Sequence, residues 1–275
     1  MNYRHAFHAG NFADLVKHAA LTVCLDLMTR GSAPLTVVDT HGGAGGYDLA
    51  DGPAQRSGEA EQGIIRLLAD PEAPEAFDAL IAAVSRINPQ GPVRLYPGSP
   101  ALVVGALRQG DRLTACELHP DDFGALKSLL APYAPAVEVL HEDGFAAVAA
   151  RVPAKDSALV LIDPPYERSD DYDRAVKAAA QVLARNPKAV MMIWLPLKDL
   201  ETFDRFLRGL EGAVAAPVLV AEARLKALDD PMTLNGCALA IVNPPAGLAA
   251  PLEDICRWTG QTLGRGSGEG RLWNF

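Results

Sequence analysis

The chain has 275 residues and is 49% apolar, enough for a sizeable core and too apolar for a disordered protein. Its 34 acids against 25 Lys and Arg give a formal charge of −9. That balance excludes a protein that coats nucleic acid non-specifically and leaves room only for a small, selective phosphate contact.

The opening Met-Asn-Tyr-Arg-His-Ala-Phe has no apolar h-region, and no apolar run reaches the length of a membrane span. The expectation is a cytoplasmic protein without membrane contact. Cys24, Cys116, Cys237 and Cys256 are scattered with no Cys-x-x-Cys pair, which argues for reduced thiols and against a metal.

Residues 11–30 read as a helix: Asn11 is an N-cap type, and Leu15, Ala19, Val23 and Leu27 recur every four residues. Residues 33–40 read as a strand that breaks into His41-Gly42-Gly43-Ala44-Gly45-Gly46. Residues 51–98 read as a helical insertion, with amphipathic helices at 59–68 and 75–87 and no β-branched runs. Ser99-Pro100 is a helix start, with Ser as N-cap and Pro in the first turn. Strands follow at 112–117, 137–141, 158–162, 189–195, 218–224 and 238–242, with helices such as 121–130 and 172–185 between most of them. Seven strands alternating with helices predict an α/β fold with a mostly parallel, doubly wound sheet. The last two, joined by a loop at 229–236, suit an antiparallel edge, and the Gly-rich tail 264–275 is expected on the surface. The chain is read as one domain, 1–275, carrying the insertion, and as a monomer.

The strongest chemical signal is Leu159-Val-Leu-Ile-Asp163-Pro164-Pro165-Tyr166. Four apolar residues make a buried strand, and two prolines without N–H groups stop it. Asp163 and Tyr166 are left at the carboxyl edge of the sheet, where open α/β folds bind ligands. A carboxylate, the Pro164 carbonyl and an aromatic ring suit a planar amine: two acceptors for an exocyclic NH2 and a face for stacking. Glu117 ends the second strand and suits the two hydroxyls of a ribose, or is a plain surface acid. Asp143-Gly144 ends the third, with Asp placed for an adenine amine, or is a common turn. The glycine turn at 42–46 allows close backbone approach to a ligand, with His41 reaching over it. It lacks the third glycine of a dinucleotide fingerprint, since Asp48 stands there, which disfavours a nicotinamide-dependent oxidoreductase. Asn243-Pro244-Pro245 lacks a following aromatic and reads as a strand terminator. Taken alone, His18 reads as a core histidine and Ser99 as a helix cap.

A glycine turn, an acid, Asp-Gly and Asp-Pro-Pro-Tyr on four successive strand ends resemble the class I (Rossmann-like) S-adenosylmethionine methyltransferases, and the fourth motif resembles those acting on amino groups. Tyr3-Arg4-His5-Ala6-Phe7-His8-Ala9-Gly10-Asn11, with Asp14 and Lys17-His18, resembles the opening of the RlmJ family, bacterial enzymes that methylate adenine N6 in 23S ribosomal RNA. Asp39-Thr-His41-Gly-Gly-Ala-Gly45, Tyr96-Pro-Gly-Ser99-Pro100 and Asp163-Pro-Pro-Tyr-Glu167 are similar too, so the likeness spans essentially the whole chain. It implies a methyl donor, S-adenosylmethionine, leaving as S-adenosylhomocysteine and held by His18, His41, Ser99, Glu117, Asp143, Gly144 and Asp163. It implies catalysis by Asp163, Pro164 and Tyr166 without a metal, and an RNA contact at Tyr3. Arg4 and His5, in an acid-free terminus, and Lys17 are assigned to the same RNA contact. A DNA adenine methyltransferase shares this chemistry and stays open on the residues alone.

Overall fold

The computed structural model describes residues 7–51, 57–264 and 266–275. Helix α1 spans Phe12–Thr29, and Asn11 caps it by accepting a hydrogen bond from the Asp14 amide. This helix is buried on nearly all sides, so its polar Asp14, Lys17 and His18 lie out of water along with Leu15, Val16 and Leu21. Strand β1 (Leu35–Asp39) is followed by β2 (Gly46–Asp48), helices α2 (Glu59–Gln62), α3 (Ile64–Leu68) and α4 (Asp78–Ile87), and strand β3 (Leu95–Pro97). Then come α5 (Ser99–Ala106), β4 (Arg112–Cys116), α6 (Pro120–Leu130), β5 (Val137–Leu140), α7 (Gly144–Arg151) and β6 (Ser157–Ile162). The chain continues through α8 (Asp171–Arg185), β7 (Val190–Leu197), α9 (Leu200–Ala213), β8 (Val218–Arg224), β9 (Gly236–Val242), α10 (Ala249–Trp258) and β10 (Glu269–Asn274).

The main sheet has the order β10-β8-β9-β7-β6-β1-β4-β5. Strands β5, β4, β1, β6 and β7 run parallel, while β9 inserts antiparallel between β7 and β8. The strand reversal therefore falls late in the chain, as the turn signals at 229–236 suggest. Because β1, β4, β5 and β6 are parallel, the segments after all four emerge along one edge. The strands themselves are apolar on both faces, as a sheet covered by helices on both sides requires.

Three expectations need correction. The sheet has eight strands, not seven, because the tail pairs β10 against β8. Its Gly270 lies against the Arg257 backbone, where a Cβ would fall 2.3 Å from the amide nitrogen, so a glycine that reads as a loop residue is what lets this strand dock. The single helix expected at 59–68 is broken at Gly63, whose Cβ position would lie 2.0 Å from the Gly10 carbonyl oxygen. And Ser99 is not the N-cap of α5: Gly98 occupies that position, and the Ser99 side chain is used elsewhere. The described residues of the insertion form no rung of the main sheet; β2 and β3 make a separate two-stranded ladder at its base. Its Ile64, Leu67, Phe77, Leu80 and Val84 join the core that also contains α1 and one face of the sheet.

Candidate active site

At the carboxyl ends of β1, β4, β5 and β6 opens a cleft of about 880 Å³. Its first wall is the turn after β1. Asp39 is fully buried and accepts hydrogen bonds from the Ser99 hydroxyl at 2.7 Å and the His41 amide at 3.2 Å. Burial pushes its carboxyl up to about 6 despite those two donors. Burial also lowers His41 to about 4, so the ring is neutral at physiological pH, and it meets Phe145 edge-on with centroids 4.8 Å apart.

The glycine turn is pinned to the neighbouring strand. The Gly42 amide donates to the Cys116 carbonyl at 2.8 Å, and the Gly43 amide to Glu117 Oε2 at 2.8 Å. Gly43 has φ +58, a conformation other residues rarely adopt, and a Cβ there would strike the Tyr47 hydroxyl. Glu117 Oε1 takes a second amide, that of His119, at 2.7 Å. One carboxylate thus holds two loops while facing the cleft.

Asp143 caps α7 by accepting from the Phe145 amide at 3.1 Å. Its other oxygen pairs with Arg174, whose guanidinium also covers the Phe145 ring at 4.5 Å. Gly144 is required by contact and not by turn geometry: a Cβ would sit 2.0 Å from the Thr40 carbonyl oxygen, where α7 crosses the end of β1.

Beyond β6, Asp163, Pro164 and Pro165 all line the cleft. Asp163 Oδ2 accepts from Lys17 Nζ at 2.6 Å. Tyr166 has φ +52, an uncommon backbone for a bulky residue. Its hydroxyl donates to the Trp194 carbonyl, and its ring packs against Tyr172 with centroids 4.5 Å apart. The turn is therefore held from its side chain. His18 approaches from α1, with its Nδ1 2.9 Å from the Tyr96 hydroxyl.

His18, His41, Ser99, Glu117, Asp143, Gly144 and Asp163 accordingly share this cleft, as do Pro164 and Tyr166. Lys17 does not form an RNA-facing surface as expected. It is buried, and its ammonium lies between Asp14 and Asp163, which raise its pKa although burial works against the charge. Tyr3, Arg4 and His5 lie outside the described residues. Arg174 and Trp194 are contributors that the sequence does not announce, and Asp14 and Asp39 stand in the family motifs without an assigned role. Nothing in the local sequence of Arg174 points 31 residues back to Asp143, whereas Asp39, an acid at the end of the first strand, was visible within the motif.

A mostly parallel sheet with two late antiparallel strands, β9 and β10, a glycine turn pinned by an acid and an Asp-Pro-Pro-Tyr edge define a class I methyltransferase. Residues 32–274 match the family described as ribosomal RNA large subunit methyltransferase D, RlmJ. The chain belongs to that family. It is 32% identical to ribosomal RNA large subunit methyltransferase J of Escherichia coli K12, over 94% of this chain and 92% of that protein. To the Haemophilus influenzae protein of the same name it is 33% identical, over 96% and 94%. A Legionella pneumophila protein of known crystal structure superposes with a TM-score of 0.88 at 30% identity, covering 97% of this chain and 98% of that one.

Proposed function

We propose that this ribosomal RNA methyltransferase places a methyl group on N6 of an adenine in 23S ribosomal RNA, with S-adenosylmethionine as donor. The observation that carries the reading is the environment of Asp163: Lys17 holds its Oδ2, which leaves Oδ1 and the Pro164 carbonyl to receive the two hydrogens of an exocyclic amine. Two acceptors aimed at one NH2 favour a pyramidal nitrogen, whose lone pair is otherwise delocalised into the ring. Alignment and fixed electrostatics of this kind account for much of the rate in such transfers. Tyr166 offers the base a ring face whose angle is set by Tyr172 and the Trp194 carbonyl.

The donor set of the cleft fits the cofactor. Glu117 suits a ribose diol, Asp143 an adenine amine, and the glycine turn leaves no Cβ in the way. Neutral His41, with His18 and Ser99, completes the wall. The bound cofactor supplies an electrophilic methyl on a sulfonium centre. A neutral imidazole beside such a cation avoids the repulsion that a charged histidine would bring. An adenine paired in a duplex cannot present its amine to Asp163 within a cleft, so the target must be unpaired or extruded. Tyr3, Arg4 and His5 would meet the RNA; removing residues 2–6 should lower RNA methylation by about tenfold or more while cofactor affinity stays within twofold.

The test supplies methyl-labelled S-adenosylmethionine with deproteinised 23S RNA from cells lacking the protein, then digests the RNA to nucleosides. Label in N6-methyladenosine is expected. Label in another nucleoside, or transfer to duplex DNA in preference to RNA, overturns the reading.

A further inference from the structure

Met232 is 87% exposed, far more than any other large apolar side chain among the described residues. It follows Pro231 at the tip of the segment between β8 and β9. Strand β8 pairs antiparallel with β9, which pairs antiparallel with β7, so β8 runs in the direction of β6. Its following loop therefore emerges on the same edge as Asp163. Leu234, two residues beyond Met232, lines the catalytic cleft together with Lys198.

The loop is braced. Fully buried Asn235 donates from its amide side chain to the Lys198 carbonyl at 2.8 Å and the Asp230 carbonyl at 2.7 Å. The Met232 amide donates to Asp230 Oδ1 at 3.0 Å, and Lys226 Nζ reaches the Thr233 hydroxyl at 2.8 Å. An apolar tip on a fixed base, beside a cleft that must receive an extruded adenine, has the attributes of an intercalating side chain. Proline and methionine are among the residues that occupy such a role. Asp229 and Asp230 in the loop offset the charges of Lys226 and Lys198, so the Pro–Met tip offers phosphate no net positive charge and leaves base faces as what it suits.

We propose that the Pro231–Met232 tip enters the RNA base stack next to the target and occupies the gap left when the adenine turns into the Asp163 cleft. The inference rests on the methyltransferase reading above and adds the surface that opens the RNA.

The test uses the 23S fragment carrying the adenine that the wild-type enzyme methylates. A second version of that fragment has abasic nucleotides on both sides of the adenine, so that no stack has to be left. Met232→Ala should lower kcat/KM on the intact fragment by about tenfold or more and by less than about twofold on the abasic one. Met232→Phe should retain most of the activity on both. Cofactor affinity and Tm should match wild type, since the side chain packs on nothing. Wild-type activity of Met232→Ala on the intact fragment, or an equal loss on both fragments, overturns the wedge while leaving the methyltransferase reading standing. A wild-type enzyme that methylates neither fragment nor full 23S RNA overturns that reading and the wedge with it.

Discussion

Lys17 Nζ lies 2.6 Å from Oδ2 of Asp163 and 3.0 Å from Oδ1 of Asp14, and all three side chains are at least five-sixths buried. One ammonium is thus shared by two carboxylates from distant parts of the sequence. Lys17→Met leaves both acids without a cation in a dry site, where an uncompensated charge costs several kcal/mol. Methyl transfer should drop by about 100-fold or more, with a lowered Tm. Asp163→Asn keeps the shape and leaves Lys17 paired with Asp14, so it should lose about 10²–10⁴ in rate while remaining folded. Turnover assays paired with thermal melts separate the two, and near wild-type turnover in Asp163→Asn would refute the assigned role.

Tyr166 does more than offer a ring face. Its hydroxyl donates to the Trp194 carbonyl, so Tyr166→Phe should lower kcat by about fivefold, the worth of one buried hydrogen bond. Tyr166→Ala, which removes the face as well, should lose about 100-fold or more. Equal kcat for Tyr and Phe would mean that Tyr172 packing alone orients the ring.

Glu117 receives two amide N–H groups, one on each carboxylate oxygen. Glu117→Gln turns its NH2 group against one of those donors, so it should weaken cofactor binding nearly as much as Glu117→Ala. Both should raise the Kd for S-adenosylhomocysteine by about tenfold or more, measured by calorimetry. A Gln variant that binds like wild type would show that a ribose contact alone, and not the pinning of the loops, sets the affinity.

Asp39 has a carboxyl near 6 in the fold against an ordinary value of 3.8. The folded state therefore holds its proton more tightly than the unfolded chain does. Stability from this group is complete below about pH 4 and is lost as pH rises through 6. At about 1.4 kcal/mol per pKa unit, the loss is about 3 kcal/mol. Asp39→Asn removes the titration. Its stability relative to wild type, from urea unfolding, should move in the variant's favour between pH 4 and 7.5. A difference constant across that range would show that Asp39 does not titrate there.

The parts legible in the sequence were those written in local pattern. Apolar runs ended by prolines or glycines marked the strands, and an acid or glycine after each marked the edge of the site. What pairing across long separations decides was hidden. Nothing near Lys17 announces Asp163, 146 residues away, and a lysine in a basic-looking opening reads naturally as an RNA contact. Ser99 looked like a cap because Ser-Pro starts helices, yet its hydroxyl serves Asp39, 60 residues back. Gly144 and Gly270 read as turn or loop residues and Gly63 as an interior helix position, while the actual constraint on all three is backbone from another element pressed against them.

The break at Gly63 bears on how relatives of this enzyme can exchange parts. It brings the Ile64 amide to the Gly10 carbonyl at 2.9 Å, and Glu59 accepts from Asn11 while meeting His8. The inserted helices are thus stitched to the few residues that start α1, and α1 carries Lys17 into the reacting centre. A chimaera that swaps residues 51–98 without residues 7–14 inherits mismatched seams at the root of that helix. Recombination within the family should favour crossovers that keep these two distant stretches of sequence from a single parent.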